Sequence, residues 1–155
     1  MSDASVADEL EIRNLVAKYA DAVLRADAGA WLETWANEGE WELLGECSRG
    51  HEALAKRLEV LTSGLEYVMQ RMGGGIVRVG KEGARGRWTI TEHARTKEGT
   101  ALFTMGAYQD EYCREDGRWL FARRNFRAFY IGPPDMSGLL MPVPDDLGEG
   151  LEGAG

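Results

Sequence analysis

Apolar residues recur at helical spacing over residues 5–26, where Ile12, Leu15, Val16, Tyr19, Val23 and Ala26 share one stripe, which predicts a long amphipathic helix. Asp27 interrupts it, and AGAWLETW then reads as a shorter helix presenting Trp31 and Trp35. Glu40-Trp41-Glu42-Leu43 alternates and predicts a strand, while residues 50–64 suit a third helix ended by Gly64. Beyond residue 64 the period falls to two. Strand candidates lie near 65–71, 75–80, 84–97, 101–115 and 118–131, with Gly73-Gly74-Gly75 read as a turn between the first two. Asp116-Gly117 marks the reversal of a hairpin over 107–130, because a tight reversal needs positive φ. Helices first and a meander afterwards predict an α+β fold, three N-terminal helices against a strongly curved antiparallel sheet.

All four prolines (133, 134, 142 and 144) follow the last strand. Residues 1–131 therefore read as the folded domain and 132–155 as an irregular Pro/Gly-rich acidic tail. The tail's apolar patch, Leu139 to Val143, is placed either to pack on the body or to cover a pocket. A length of 155 residues fits one domain with a real core. The formal net charge of −8 is unevenly distributed: no Lys or Arg follows Ile131, and Asp135, Asp145, Asp146, Glu149 and Glu152 all lie in the tail. The body is thus only mildly acidic and has no basic stripe to track phosphates, which argues against nucleic acid as a partner. Cys47 and Cys113 lack metal-type spacing. The acidic N-terminus has no secretory core and no stretch approaches membrane-spanning length, so a cytoplasmic location without membrane attachment is expected.

Two charges sit among apolar residues. Regular alternation from residue 119 puts Arg124 on a face with Leu120, Ala122, Phe126 and Ala128, and a guanidinium there requires a partner or ligand. The opposite face, Trp119, Phe121, Arg123, Asn125, Arg127 and Phe129, is mixed aromatic and basic and suits a partner. In strand 84–97, Arg85, Arg87, Thr89, Thr91, His93, Arg95 and Lys97 form a polar face. Gly86, Trp88, Ile90, Glu92 and Ala94 form the other, which makes Glu92 a carboxylate in an apolar row. Glu92 is then either a working acid or base or half of a fixed ion pair with Arg124, unless a bulge turns it outward. Tyr19 and Asp27 lie about 80° apart around a helix axis, so both can address one cavity. Tyr19 can alternatively be core, and Asp27 occupies the N-cap position of the second helix. His51 is expected to be exposed and His93 to face away from Glu92, and neither forms a metal signature. No metal, nucleotide or other cofactor is expected.

KYADAVLRAD, AWLETWANEGEWEL, GRWTI and YQDEYCREDGRWLFARR, in that order, resemble the SnoaL-like branch of the nuclear transport factor 2-like superfamily over residues 8–131. The resemblance implies a cone-shaped, cystatin-like α+β barrel with a pocket at one end and a homodimer formed through the outer sheet face. The chain is most similar to dehydratase-like and dehydrochlorinase-like members, in which a helix-end Asp orients a His base. The resemblance places Tyr19 at a first-helix tyrosine, Asp27 at the orienting Asp, Glu92 at a pocket-facing carboxylate and Arg124 at an assisting Arg. The His position falls on Gln70, whose amide cannot accept the proton.

Two functions follow as expectations. One is a cofactor-independent lyase or isomerase for a small hydrophobic or cyclic molecule. It would use Asp27 or Glu92 as base and Tyr19 and Arg124 as stabilising groups, with Gln70, Trp31 and Trp88 against the substrate. The other is a non-catalytic binding module or an accessory subunit of the ring-hydroxylating dioxygenase small-subunit type.

Overall fold

The computed structural model describes residues 3–151. The last residues of the expected tail, including Glu152, lie outside them. Helix α1 (Asp3–Leu24) buries Ile12, Leu15, Val16, Tyr19 and Val23, the stripe read from the sequence. It ends where Ala26 turns to positive φ, and α2 (Ala28–Leu32) follows at once. Strand β1 (Trp35–Leu43) begins five residues before the expected Glu40, and β2 (Glu46–Arg49) carries no alternation that would have announced it. Helix α3 spans Gly50–Thr62. Four long strands complete the fold: β3 (Leu65–Val79), β4 (Ala84–Thr96), β5 (Ala101–Glu115) and β6 (Arg118–Gly132).

These strands form one six-stranded sheet in the order β2-β1-β6-β5-β4-β3. It is mixed, because β1 runs parallel to β6 while every other pair is antiparallel. The β5–β6 turn is the expected one, with Asp116 at φ +50° and Gly117 at φ +77°.

Of the sheet's register irregularities, three change the reading made from the sequence. The expected turn at Gly73-Gly74-Gly75 is instead an irregularity inside β3, between the pairs Met72–Ile90 and Gly75–Trp88. A Cβ at Gly75 would run into the Trp88 ring, so glycine there is what lets the indole lie across the strand. In β6 the pairing passes from Tyr112–Phe121 to Glu111–Arg123, leaving Ala122 unmatched. Trp119 and Phe121, expected on the outer face, are therefore core residues on the same side as Arg124 and Phe126. A third bulge, at Phe129, reverses the parity again, so Ile131 points into the fold.

The core is aromatic. Tyr19 packs against Trp31, Trp35, Tyr108 and Phe121 at centroid separations of 5.5–6.2 Å. Arg124 lies inside this cluster with 0% exposure. Its Nε and Nη2 donate to the two carboxylate oxygens of Asp110, each at 2.8 Å. The guanidinium carbon sits 4.4, 3.9 and 4.1 Å from the ring centres of Tyr19, Tyr108 and Phe121. Tyr112 donates to the same carboxylate at 2.7 Å and receives the Trp88 indole N–H at 2.8 Å.

The tail folds back over the outer face of the sheet. Tyr130 donates to the Pro133 carbonyl and accepts from Gly138 N–H, while Leu140 pairs with Tyr130 in an isolated bridge. Asp146 pairs with Arg127, and Arg87 and Gln109 donate to the Leu147 carbonyl.

Removing one member of a buried ion pair strands the other. Asp110→Ala is therefore expected to cost about 3–5 kcal/mol in urea unfolding, and pairing it as D110L with R124M should recover most of that loss. A loss below about 1 kcal/mol for D110A would show that the pair does not hold the core together.

Candidate functional site

The antiparallel register lines up rows of side chains across the concave face. One row is Gln70, Glu92, Thr104 and Ile131, and two rows deeper lie Gly75, Trp88, Tyr108 and Phe126. Deeper still, Asp110 stands opposite Arg124, whose neighbour on β1 is Trp41. Helices α1 and α3 close the other side, leaving a cavity of about 230 Å³. Its floor holds Tyr19 and Tyr108, which are 1% and 3% exposed. A larger groove of about 570 Å³ runs beside α1 and the β5–β6 turn, but it is lined by charged surface residues such as Glu11, Lys18 and Arg118. The smaller, apolar cavity with a few polar groups is the better candidate site.

Among the described residues, Glu92 is the only charged side chain lining the cavity. Gln70 Nε2 donates to its Oε2 at 2.8 Å. Burial pushes the Glu92 carboxyl above the usual carboxylate range, and the bond from Gln70 offsets this only in part. The Gln70 Oε1 is buried without a partner. On the floor, burial raises both phenols, while the nearby Arg124 charge pulls each downward. Glu92 adds to the upward pressure on Tyr108, which places the carboxylate and that phenol within each other's field.

The structure separates the residues expected to act together. Tyr19, Gln70 and Glu92 line the same cavity. Arg124 does not line it, and its partner is Asp110 rather than Glu92. Burial opposes its charge, but Asp110 and the phenols outweigh burial and hold its pKa above the ordinary value. Asp27 caps α2, its Oδ1 accepting from Ala30 N–H at 2.9 Å and its Oδ2 from Arg25 at 2.8 Å. The cap fixes the carboxylate at the helix end, held below its usual pKa first by the Ala30 N–H and then by Arg25. Asp27 lines a neighbouring cavity of about 150 Å³ that shares Val23, Leu58, Thr62, Leu65 and Val68 with this one. Trp31 is fully buried in the aromatic core, and Trp88 is held under Gly75 and bonded to Tyr112, so neither lines this cavity.

Of the histidines, His93 is exposed and packs at a tilt against Phe103. His51 is half-buried rather than exposed, with Nε2 3.1 Å from the Trp35 carbonyl oxygen. Sequence reasoning missed Asp110. Its signal was present, since alternation in β5 puts Asp110 between Tyr108 and Tyr112 on one face, the same pattern that marked Glu92. Among the described residues no group of three or more His, Cys, Asp or Glu could hold a metal. No helix among them is long and apolar enough to cross a membrane.

Comparison with known proteins places this geometry. No curated protein matches the chain. Solved structures do. A scytalone dehydratase-like protein from Novosphingobium aromaticivorans superposes with a TM-score of 0.79 at 18% identity, over 85% of this chain and 91% of that one. The hexachlorocyclohexane dehydrochlorinase LinA-type3 from Novosphingobium barchaimii gives 0.79 at 21% identity, over 92% of this chain and 100% of that one. A protein of unknown function from Nostoc punctiforme with a cystatin-like fold gives 0.68 at 18% identity, over 78% and 90%. At such identities the likeness is one of fold, and it agrees with helices packed into a curved mixed sheet. The SnoaL-like domain model matches residues 4–125, most of the chain, and on that match the protein belongs to the SnoaL-like domain family.

Proposed function

We propose that the protein is a cofactor-independent lyase or isomerase that removes a proton from a small uncharged, largely apolar molecule held in this cavity. The observation that carries the reading is Glu92: a carboxylate on the cavity wall, raised by burial, bonded to an amide and paired with no cation among the described residues. Such a group is a stronger base than an ordinary carboxylate and loses little solvation on meeting an apolar substrate. Tyr19 and Tyr108 are the groups available to donate to oxygen as negative charge develops. Arg124, stacked beneath both rings, makes the phenols better donors without touching the substrate. Gln70 orients the base. In this scheme the Asp–His dyad implied by the family resemblance has no counterpart, because residue 70 is an amide that cannot accept the proton. The names of two similar structures, a dehydratase and a dehydrochlorinase, support an elimination as the class of reaction.

A second reading, a non-catalytic module binding the same kind of molecule, is favoured by the bond that ties Gln70 to Glu92. The two are separated by following C–H exchange of cyclic ketones and β-hydroxy ketones in D2O by NMR. Wild-type protein is expected to accelerate exchange, and Glu92→Gln to slow it by about 10²–10⁴-fold. Tyr108→Phe should cost about tenfold or more through the lost donor. Binding without exchange in the wild type would leave the module reading in place of the enzyme.

The pH dependence has a definite sign. The base must be ionised, and its folded pKa is raised, so the acid limb of the rate profile should lie above the usual carboxylate range. The same shift means that folding favours the protonated form. Wild-type stability should therefore decline as pH rises from the ordinary Glu pKa through the raised one. Glu92→Gln should lack that slope and melt at a higher temperature than wild type at neutral pH. Equal melting slopes for the two proteins across that window would refute the assignment.

A further inference from the structure

Two turns of this chain share one backbone. Leu44-Gly45 joins β1 to β2 with φ of +53° and +82°, and Asp116-Gly117 joins β5 to β6 with +50° and +77°. Each links directly paired residues, Leu43 with Glu46 and Glu115 with Arg118. A left-handed first position suits Asn, Asp or Gly and is strained for a residue with an apolar branched side chain. At residue 116 the sequence follows the rule. At residue 44 it places a leucine, and that leucine is 60% exposed. Neither local backbone preference nor burial accounts for the choice.

Location does. Leu44 lines the cavity, and Asp116 does not. Around Leu44 the rim is mostly hydrocarbon, made by Leu43, Leu61, Leu65 and Ile131, the last of which is 42% exposed, with Thr62 among them. The row of Gln70, Glu92 and Thr104 reaches the rim at Ile131, and the two phenols lie on the floor. Strain held in an exposed residue is the kind of feature that collects at binding sites. An apolar rim open to water gains most when a ligand covers it.

We propose that Leu44 is a specificity-determining residue. It closes over the hydrocarbon end of an uncharged ligand whose oxygen-bearing end points toward Tyr19 and Tyr108, and Glu92 excludes anionic ligands of the same shape. This rests on the cavity being the substrate site and adds the class and orientation of what it takes. At about 230 Å³ the space is below the roughly 300–1,000 Å³ of pockets for drug-sized ligands, so a one- or two-ring molecule fits it.

The test uses two probes of matched shape, 2-naphthol, uncharged at neutral pH, and the anion 2-naphthoate, with affinities measured by calorimetry. Wild-type protein should bind 2-naphthol at least about tenfold more tightly than 2-naphthoate. Leu44→Asn keeps a residue suited to the turn and removes the hydrocarbon. It should weaken 2-naphthol binding about tenfold while the melting temperature stays level or rises by a few degrees. Leu44→Gly should reproduce both effects. Opposite movements of stability and affinity are what a purely structural leucine would not give. Unchanged affinity in both variants, a lowered melting temperature in both, equal binding of the two probes, or no 2-naphthol binding below about 1 mM would each overturn the proposal. Binding is read without turnover. A wild type that binds as expected yet exchanges no C–H would therefore count against proton abstraction alone.

Discussion

A guanidinium enclosed by three aromatic rings would be an intolerable charge without a carboxylate across the strand from it. Asp110 supplies that carboxylate with both oxygens, and Tyr112 and Trp88 extend the polar chain through the core. The pair does more than brace the fold. Because Arg124 is neutralised below the floor, it is not available to neutralise Glu92 above it. The interior therefore carries one balanced charge and one unbalanced one, and the unbalanced one faces the cavity. The same guanidinium lies beneath Tyr19 and Tyr108, so a core interaction also acts on the two phenols that line the cavity.

That arrangement depends on bulges. With regular pairing along β6, Phe121 and Arg124 would point to opposite faces of the sheet. The unmatched Ala122 brings both inward, and the second bulge at Phe129 returns Ile131 to the cavity rim while Tyr130 goes outward to anchor the tail. On β3, the irregularity at Gly73-Gly74 and the missing side chain at Gly75 let Trp88 lie flat across the strand. Strands that bend at these points wrap around α1 and leave a cavity instead of a filled core. Meanwhile the tail occupies part of the outward face through Asp146 and Leu147, which brings acidic chain onto a basic strand surface.

Much of this was legible in the chain before folding. The helical stripe of α1, the Asp-Gly reversal and the clean alternation of β4 are local patterns, and local patterns fix local structure. Glu92 was found by that route, as an odd residue in an apolar row, and Asp110 could have been found likewise. Asp27 shows the limit: both a cap and a cavity-facing acid are consistent with its position in the chain, and in the fold it caps α2 while also lining a small cavity beside the candidate site. Strand β2 had no pattern to betray it, because a four-residue edge strand is mostly exposed on both sides.

The sequence by itself determined most of the helices and strands, though not β2 or the start of β1, that the fold is α+β, and that two charges had to be accommodated among apolar residues. Tertiary structure decided which charge was paired and which was left facing the cavity. The reason is physical: a bulge adds one residue and reverses every side chain beyond it, yet nothing in the residue types around Ala122 or Phe129 marks where that addition falls. The partner of Arg124 is set by that register, and with it the absence of a cation beside Glu92 among the described residues.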